Sequence, residues 1–268
     1  MPIKRREFLK TSAVAGLAAV TPVLTANAAE PPSGAREFYE LRRYQLRRGP
    51  MMKRFDDFYR EAAIPAMNRA GIGPVGVFSV MVGPDSPSMY VLLPHVSAEA
   101  FVRATDRVRA DAEYRKAGAE FINVPATDPA YVRVESALMA AFETMPRLEV
   151  PKPTAAKKSR IFELRTYESH SKQANRKKIE MFNTGEIAIF RRVGLTPVFF
   201  GETLIGARMP SLTYLLAFAD LAARDKNWAA FIADPAWEKL KAQPGYADAD
   251  IVSNITNILL RPAAYSQI

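Results

Sequence analysis

The sequence predicts an α+β protein of two like halves, each running β-α-β-β-α-β, with the bare faces of the two sheets packed together. Three observations predict it. The heptad Phe38-Tyr39-Glu40-Leu41-Arg42-Arg43-Tyr44 returns as Ile161-Phe162-Glu163-Leu164-Arg165-Thr166-Tyr167. The same spacing pairs Ile64 with Ile187, Arg69 with Arg192, Gly71 with Gly194 and Pro74-Val75 with Pro197-Val198. It continues without a gap to Gly83 with Gly206, Pro87-Ser88 with Pro210-Ser211 and Leu92-Leu93 with Leu215-Leu216. A register kept through glycines and prolines, the residues that mark turns, is the signature of an internal repeat. Third, 268 residues that are 49% hydrophobic and 24% charged are enough to build a core in each half.

Residues 37–45 alternate, with Tyr39, Leu41 and Arg43 on one side and Phe38, Glu40, Arg42 and Tyr44 on the other, the pattern of a strand. Across residues 51–69, Phe55, Phe58, Tyr59, Ala62 and Ala66 fall on one helical stripe. Pro65 inside that stripe should kink or shorten the helix, and Gly71 suits its C-terminal end. Residues 75–82 and 89–95 read as strands joined in a hairpin by Gly83-Pro84-Asp85-Ser86-Pro87. Ser97 can cap a helix through Phe101 and Thr105 towards Val108. A shorter helix over 111–121 and a closing strand near 135–142 complete the half, and residues 254–260 close its copy. This order is the ferredoxin-like arrangement, with helices on one sheet face and nothing on the other. An apolar face is rarely left in water, so the two bare faces should meet within the chain. A partner chain could do the same work, so a monomeric pseudo-dimer and a homo-oligomer both stay open. The resulting organisation is a leader at 1–28, a first unit at 36–143, a proline- and lysine-rich linker at 144–159 and a second unit at 160–265.

Lys4-Arg5-Arg6-Glu7-Phe8-Leu9-Lys10 resembles the twin-arginine export signal of bacteria. The mildly apolar stretch 13–24 is too short to cross a bilayer, which takes about 20 residues. Ala26-Asn27-Ala28 then supplies the small-x-small pattern of a signal peptidase site, with cleavage after Ala28. The expectation is a protein exported folded to the periplasm or beyond, with no stable membrane span after cleavage. The absence of cysteine fits that route and excludes disulfides, thiolate metal sites and cysteine nucleophiles. With His95 and His170 as the two histidines, multi-histidine metal centres are excluded as well. Part of the formal charge of +9 leaves with the leader, and the remaining basic clusters, Arg42-Arg43 with Arg47-Arg48 and Arg176-Lys177-Lys178, form no stripe. No nucleic-acid partner is expected. Gly-rich phosphate loops, Gly-x-Ser-x-Gly elbows and His-Glu-x-x-His motifs are missing.

Tyr39-Glu40-Leu41-Arg42-Arg43-Tyr44 and its copy, the helix ends Arg69-Ala70-Gly71 and Arg192-Val193-Gly194, and Asp234-Pro235-Ala236-Trp237 together resemble a tandem member of the NIPSNAP family. The first unit departs from the family pattern, with Asp111-Ala112-Glu113-Tyr114 in place of Asp-Pro-x-Trp. The resemblance implies a dimeric α/β-barrel fold and brings no agreed catalytic residues.

Glu40, Arg42 and Tyr44 share one strand face, and Glu163, Arg165 and Tyr167 repeat it. We expect both faces to look into one shared cavity between the sheets, leaving Tyr39, Leu41, Phe162 and Leu164 to pack beneath the helices. Each Glu–Arg pair reads either as a structural ion pair that fixes the sheet or as part of a pocket for a small anionic or polar ligand, the arginines holding a carboxylate and the tyrosines donating hydrogen bonds. His95, opposite Phe218 in the repeat, reads as a core imidazole. His170, in a loop, is the candidate axial ligand if the protein carries haem; no other cofactor is expected. The function so indicated is an exported ligand-binding or structural/interaction protein. The alternative drawn from the implied fold is a cofactor-independent monooxygenase-like or haem-handling enzyme, acting on a small molecule in the inter-sheet cavity. A large exposed apolar patch would favour an interaction role.

Overall fold

The computed structural model describes residues 35–156 and 158–268; the export signal and cleavage site expected within 1–28 lie outside them. Among the described residues no helix is long and apolar enough to cross a membrane.

The first half runs β1 (Phe38–Gln45), α1 (Pro50–Phe58), α2 (Ile64–Arg69), β2 (Gly76–Val82), β3 (Ser88–His95), α3 (Ala98–Ala110), α4 (Ala112–Ala117), α5 (Ala119–Ile122) and β4 (Arg133–Ala141). After α6 (Lys152–Ala155) the second half runs β5 (Ile161–Glu168), α7 (Lys172–Met181), α8 (Ile187–Arg192), β6 (Thr196–Ile205), β7 (Ser211–Phe218), α9 (Leu221–Ile232), α10 (Pro235–Lys241), α11 (Asp248–Ile251) and β8 (Asn254–Pro262). The repeat extends to the helix caps. Ser97 and Asp111 accept from the backbone N–H groups of Ala100 and Tyr114, and Asp220 and Asp234 repeat this in the second half.

Pro65 does less than its chemistry suggests. A π-helical turn, Tyr59–Ala63, carries α1 into α2 without a break, and Pro65 follows it directly, where the widened turn accommodates a residue with no N–H to donate. The second half has the same π turn, Phe182–Glu186, with Ala188 in place of the proline. The wider turn therefore belongs to the repeat and does not depend on the proline. Such turns recur at functional sites.

The strands close into one antiparallel barrel in the order β1-β3-β2-β8-β5-β7-β6-β4. Each half supplies a four-stranded sheet, and β2–β8 and β4–β6 hydrogen bonds join the two at both margins. Closure leaves no strand edge exposed. The barrel interior is solid: Tyr39, Phe78, Leu92, Phe162, Phe199 and Leu215 form its core, with Leu41 packed against them.

That packing corrects the expected placement of the strand faces. Tyr39, Leu41, Phe162 and Leu164 point inward, so Glu40, Arg42, Tyr44, Glu163, Arg165 and Tyr167 lie on the helix side, in two separate clusters. Among the described residues the two sets line no common cavity between the sheets. Alternation along a strand separates two faces but does not say which of them a barrel will enclose. An eight-stranded barrel has room for little beyond its own side chains. Large apolar groups fill it, and the charged set goes where the helices can leave space. The linker, too, is docked on the barrel. Phe142 forms a bridge with Met145, the Glu149 N–H donates to the Val198 carbonyl, and Leu148 packs against the barrel core.

Candidate functional site

In the first half β1 holds Glu40 and Arg42 two residues apart on the helix side, which lets the guanidinium reach back along the strand. Its Nε and Nη2 donate to the two carboxylate oxygens of Glu40 at 2.7 and 2.9 Å. β4 pairs Ser136 with Arg42, and the Ser136 hydroxyl donates to Glu40 Oε1 at 2.9 Å. From the end of β3, His95 Nε2 lies 3.8 Å from Glu40 Oε2. Burial alone would push the Glu40 carboxyl up. The neighbouring His95, the Arg42 fork and the Ser136 hydroxyl outweigh it and hold the carboxyl down at about 2.

A depressed carboxyl stabilises the fold where it is ionised. Its contribution is complete above the ordinary value of 4.5 and is lost as pH falls towards 2. Urea melts between pH 5 and 2 should therefore show a loss of stability about 3 kcal/mol larger than in Glu40→Gln. Equal declines in the two proteins would show that Glu40 does not titrate this way.

Between this sheet face and helices α1 to α5 lies a cavity of about 350 Å³. Arg42, Tyr44, Tyr59 and His95 line it, with apolar walls from Phe58, Met67, Leu93 and Phe121 and with Thr105 and Arg109 on exposed positions of α3. Two of its polar groups are buried without a hydrogen bond. His95 is 3% exposed and neither ring nitrogen is hydrogen bonded; Tyr59 is 0% exposed and its hydroxyl has no partner. Burial raises the Tyr59 phenol well above its ordinary 10, so it stays a donor. An unmet buried polar group costs about 1–3 kcal/mol, and these groups share one space large enough to hold a partner.

The second half has the same backbone and a different filling. Phe190, Phe218, Trp228 and Phe231 occupy the positions of Met67, His95, Thr105 and Val108. Phe190, Trp228 and Phe231 pack with centroids 4.8–5.7 Å apart. Glu163, 0% exposed, accepts from Arg165 Nη1 at 3.1 Å, from Arg224 Nε and Nη2 at 3.0 and 2.8 Å, and from Trp228 Nε1 at 2.7 Å. Arg165 Nη2 donates to Tyr167 Oη at 3.0 Å, and its guanidinium lies 4.6 Å from the centroid of the Trp228 ring. On α7, Lys178 is 1% exposed, with Nζ 3.2 Å from both Glu186 Oε2 and Asp248 Oδ1. Burial pushes the Glu186 carboxyl up to about 7 against the opposing Lys178 charge.

The sequence reading thus placed each Glu-Arg-Tyr set on a common face but misjudged what faces it. His95 is buried, as a core imidazole would be, yet it lines the cavity without a hydrogen bond. Ser136, Lys178, Glu186 and Arg224 fall outside that pattern, and Tyr59 and Trp228 read from the sequence as packing residues. Positions where the two halves disagree would have revealed most of them. Phe55 against Lys178 and Ala63 against Glu186 put charge on an apolar stripe, and Thr105 against Trp228 changes volume. His170 is exposed in the bend after β5 and lines neither this cavity nor the barrel mouth. An exposed imidazole outside both of these spaces does not fit the role of a haem ligand. Among the described residues no group of acids and histidines is arranged to hold a metal ion.

Among solved structures, a Fusobacterium nucleatum protein named as a monooxygenase superposes with a TM-score of 0.57, at 8% identity over 85% of this chain and 93% of its own. A Lactobacillus acidophilus protein named likewise gives 0.55 at 7% identity, over 85% and 94%. At such identities these likenesses concern the fold alone. A NIPSNAP-like domain protein from Burkholderia xenovorans is 25% identical over 40% of this chain and 88% of its own, with a TM-score of 0.36. No curated protein matches the sequence. The sequence pattern of the NIPSNAP family matches twice, at residues 39–141 and 162–267, one segment in each half of the barrel. By these two matches, the chain belongs to the NIPSNAP family.

Proposed function

We propose that the protein binds a small molecule in the cavity of its first half, one with a flat apolar body and a hydrogen-bond-accepting group. The observation that carries this reading is the pair of buried groups without a hydrogen bond, His95 and Tyr59, on one cavity of about 350 Å³. That size falls within the range of about 300–1,000 Å³ common to ligand sites. Glu40 takes Nε and Nη2 of Arg42 and leaves Nη1 uncommitted. With the Tyr59 hydroxyl, it forms a pair of donors that suits a carboxylate or a carbonyl, and the His95 ring adds a polar edge beside them. The aromatic walls suit a ring system. The twin-arginine pattern at residues 4–10 and the Ala26-Asn27-Ala28 site support export of the folded protein, so the ligand would be met outside the cytoplasm.

Native mass spectrometry of the purified protein asks whether a small molecule travels with it. Calorimetry with naphthoate, naphthamide and methylnaphthalene then separates charge, hydrogen bonding and shape. Naphthoate and naphthamide should bind, with methylnaphthalene about tenfold or more weaker, and Tyr59→Phe should weaken the first two by a similar factor. If no molecule co-purifies and none of the three compounds binds, the reading fails.

A further inference from the structure

We propose that two copies of this chain pair mouth to mouth, through the barrel end formed by the β2–β3 and β6–β7 turns. Both turns stand at one end of the barrel, since Pro84, Ala207 and Arg208 line the same small recess there. They are equivalent in the repeat, Gly83 matching Gly206 and Asp85 matching Arg208. Asp85 and Arg208, with φ of 56° and 61°, are the only non-glycine residues in the left-handed region among those described. The two halves therefore keep an unusual backbone at this point and reverse the charge on it.

Both side chains present a free side. Asp85 lies 3.1 Å from Arg43 and its side chain remains 46% exposed. The Arg208 guanidinium donates to the Thr256 hydroxyl, lies 3.9 Å from Glu168, and remains 49% exposed. The hairpins that carry them are apolar and bare. Val82 is 64% exposed, Ile205 65%, Met209 46% and Leu204 40%. These four side chains frame the mouth on both sides.

The topology selects a second copy as the occupant. In the strand ring β1-β3-β2-β8-β5-β7-β6-β4, every strand lies half the ring away from its counterpart in the other half. The halves are thus related by an approximate twofold along the barrel, and Asp85 and Arg208 sit on opposite sides of the mouth. A second barrel turned over about a perpendicular axis sets Asp85 against Arg208 of the partner subunit. The same operation sets Arg208 against Asp85 of the partner subunit. One symmetry operator makes both pairs, so the contact is isologous and closes as a dimer. The apolar hairpins supply contact area, while the charges choose this rotation over the one that opposes like to like. The proposal does not depend on the cavity in the first half.

The test is sedimentation velocity and native mass spectrometry of the full chain over a concentration series. The expected result is a dimer. Asp85→Arg should raise its dissociation constant about tenfold or more, and adding Arg208→Asp to the same chain should restore most of the loss. Arg208 already shows that an arginine holds this turn conformation, and thermal melts confirm that each variant is folded. Ile205→Glu should weaken association without being rescued by the charge exchange. A monomer at every concentration, or a dimer indifferent to Asp85→Arg, would overturn the proposal.

Discussion

Replacing Glu163 with alanine is expected to destabilise the protein by about 3–5 kcal/mol, among the largest effects available to one substitution. The carboxylate is 0% exposed and takes bonds from Arg165, Arg224 and the Trp228 indole, at distances of 2.7 to 3.1 Å. Arg224 can turn out to solvent when its partner is removed, because its side chain is 24% exposed. Arg165 cannot move so easily. Its side chain is 13% exposed, and it is held between Tyr167 and the Trp228 ring. The variant leaves a guanidinium inside the protein without its counter-charge, and that desolvation penalty is the source of the loss. Urea melts at neutral pH check it; at two to four degrees per kcal/mol the thermal midpoint should fall by roughly 6–20 °C. Arg103→Ala is the control. Both side chains of its pair with Glu99 are exposed, and its removal should change stability by under about 0.5 kcal/mol. If the two variants behaved alike, the Glu163 cluster would not be a stabilising centre.

The second large effect concerns binding. Thr105→Trp should abolish ligand uptake, weakening naphthoate binding by about a hundredfold or more, while leaving the fold intact. The second half shows why. At the matching position Trp228 lies over Arg165 and donates to Glu163, and its ring joins Phe190 and Phe231 in a packed cluster. Arg42 and Glu40 stand ready in the first half to receive an indole in the same way, and the cavity offers the volume. The stability of the variant should therefore hold or rise by about 1 kcal/mol, because a tryptophan that fills a void with its N–H bonded gains contacts without new orphans. Calorimetry and thermal melts together separate the outcomes. Lost binding with preserved stability places the ligand in this cavity, whereas unchanged binding puts it elsewhere. Arg103→Ala on the same helix removes only an exposed pair with Glu99 and should leave binding alone.

These two experiments rest on a comparison that the chain makes with itself. The strands, caps and turn glycines of both halves are readable because they depend on local chemistry: alternation, capping oxygens and left-handed turns. Ser97, Asp111, Asp220 and Asp234 cap because a short acceptor before a helix meets its free N–H groups. The effect of Pro65 was harder to read. A missing N–H signals a break only where the helix needs that bond, and the π turn just before the proline already departs from the ordinary bonding.

By itself, the sequence determined the duplication, the βαββαβ order, the common strand face of Glu40 with Arg42 and of Glu163 with Arg165, and membership of the NIPSNAP family. Only the tertiary structure decided which strand faces the barrel would enclose, that the two charged sets would be kept apart, and that one half would be hollow where the other is filled. The reason is the range of the forces involved. Alternation and capping act between neighbours in the chain. The choice of face and the volume beneath it depend on residues such as Met67, Thr105 and Val108, or Phe190, Trp228 and Phe231, which meet the strand only after the helices have packed upon it.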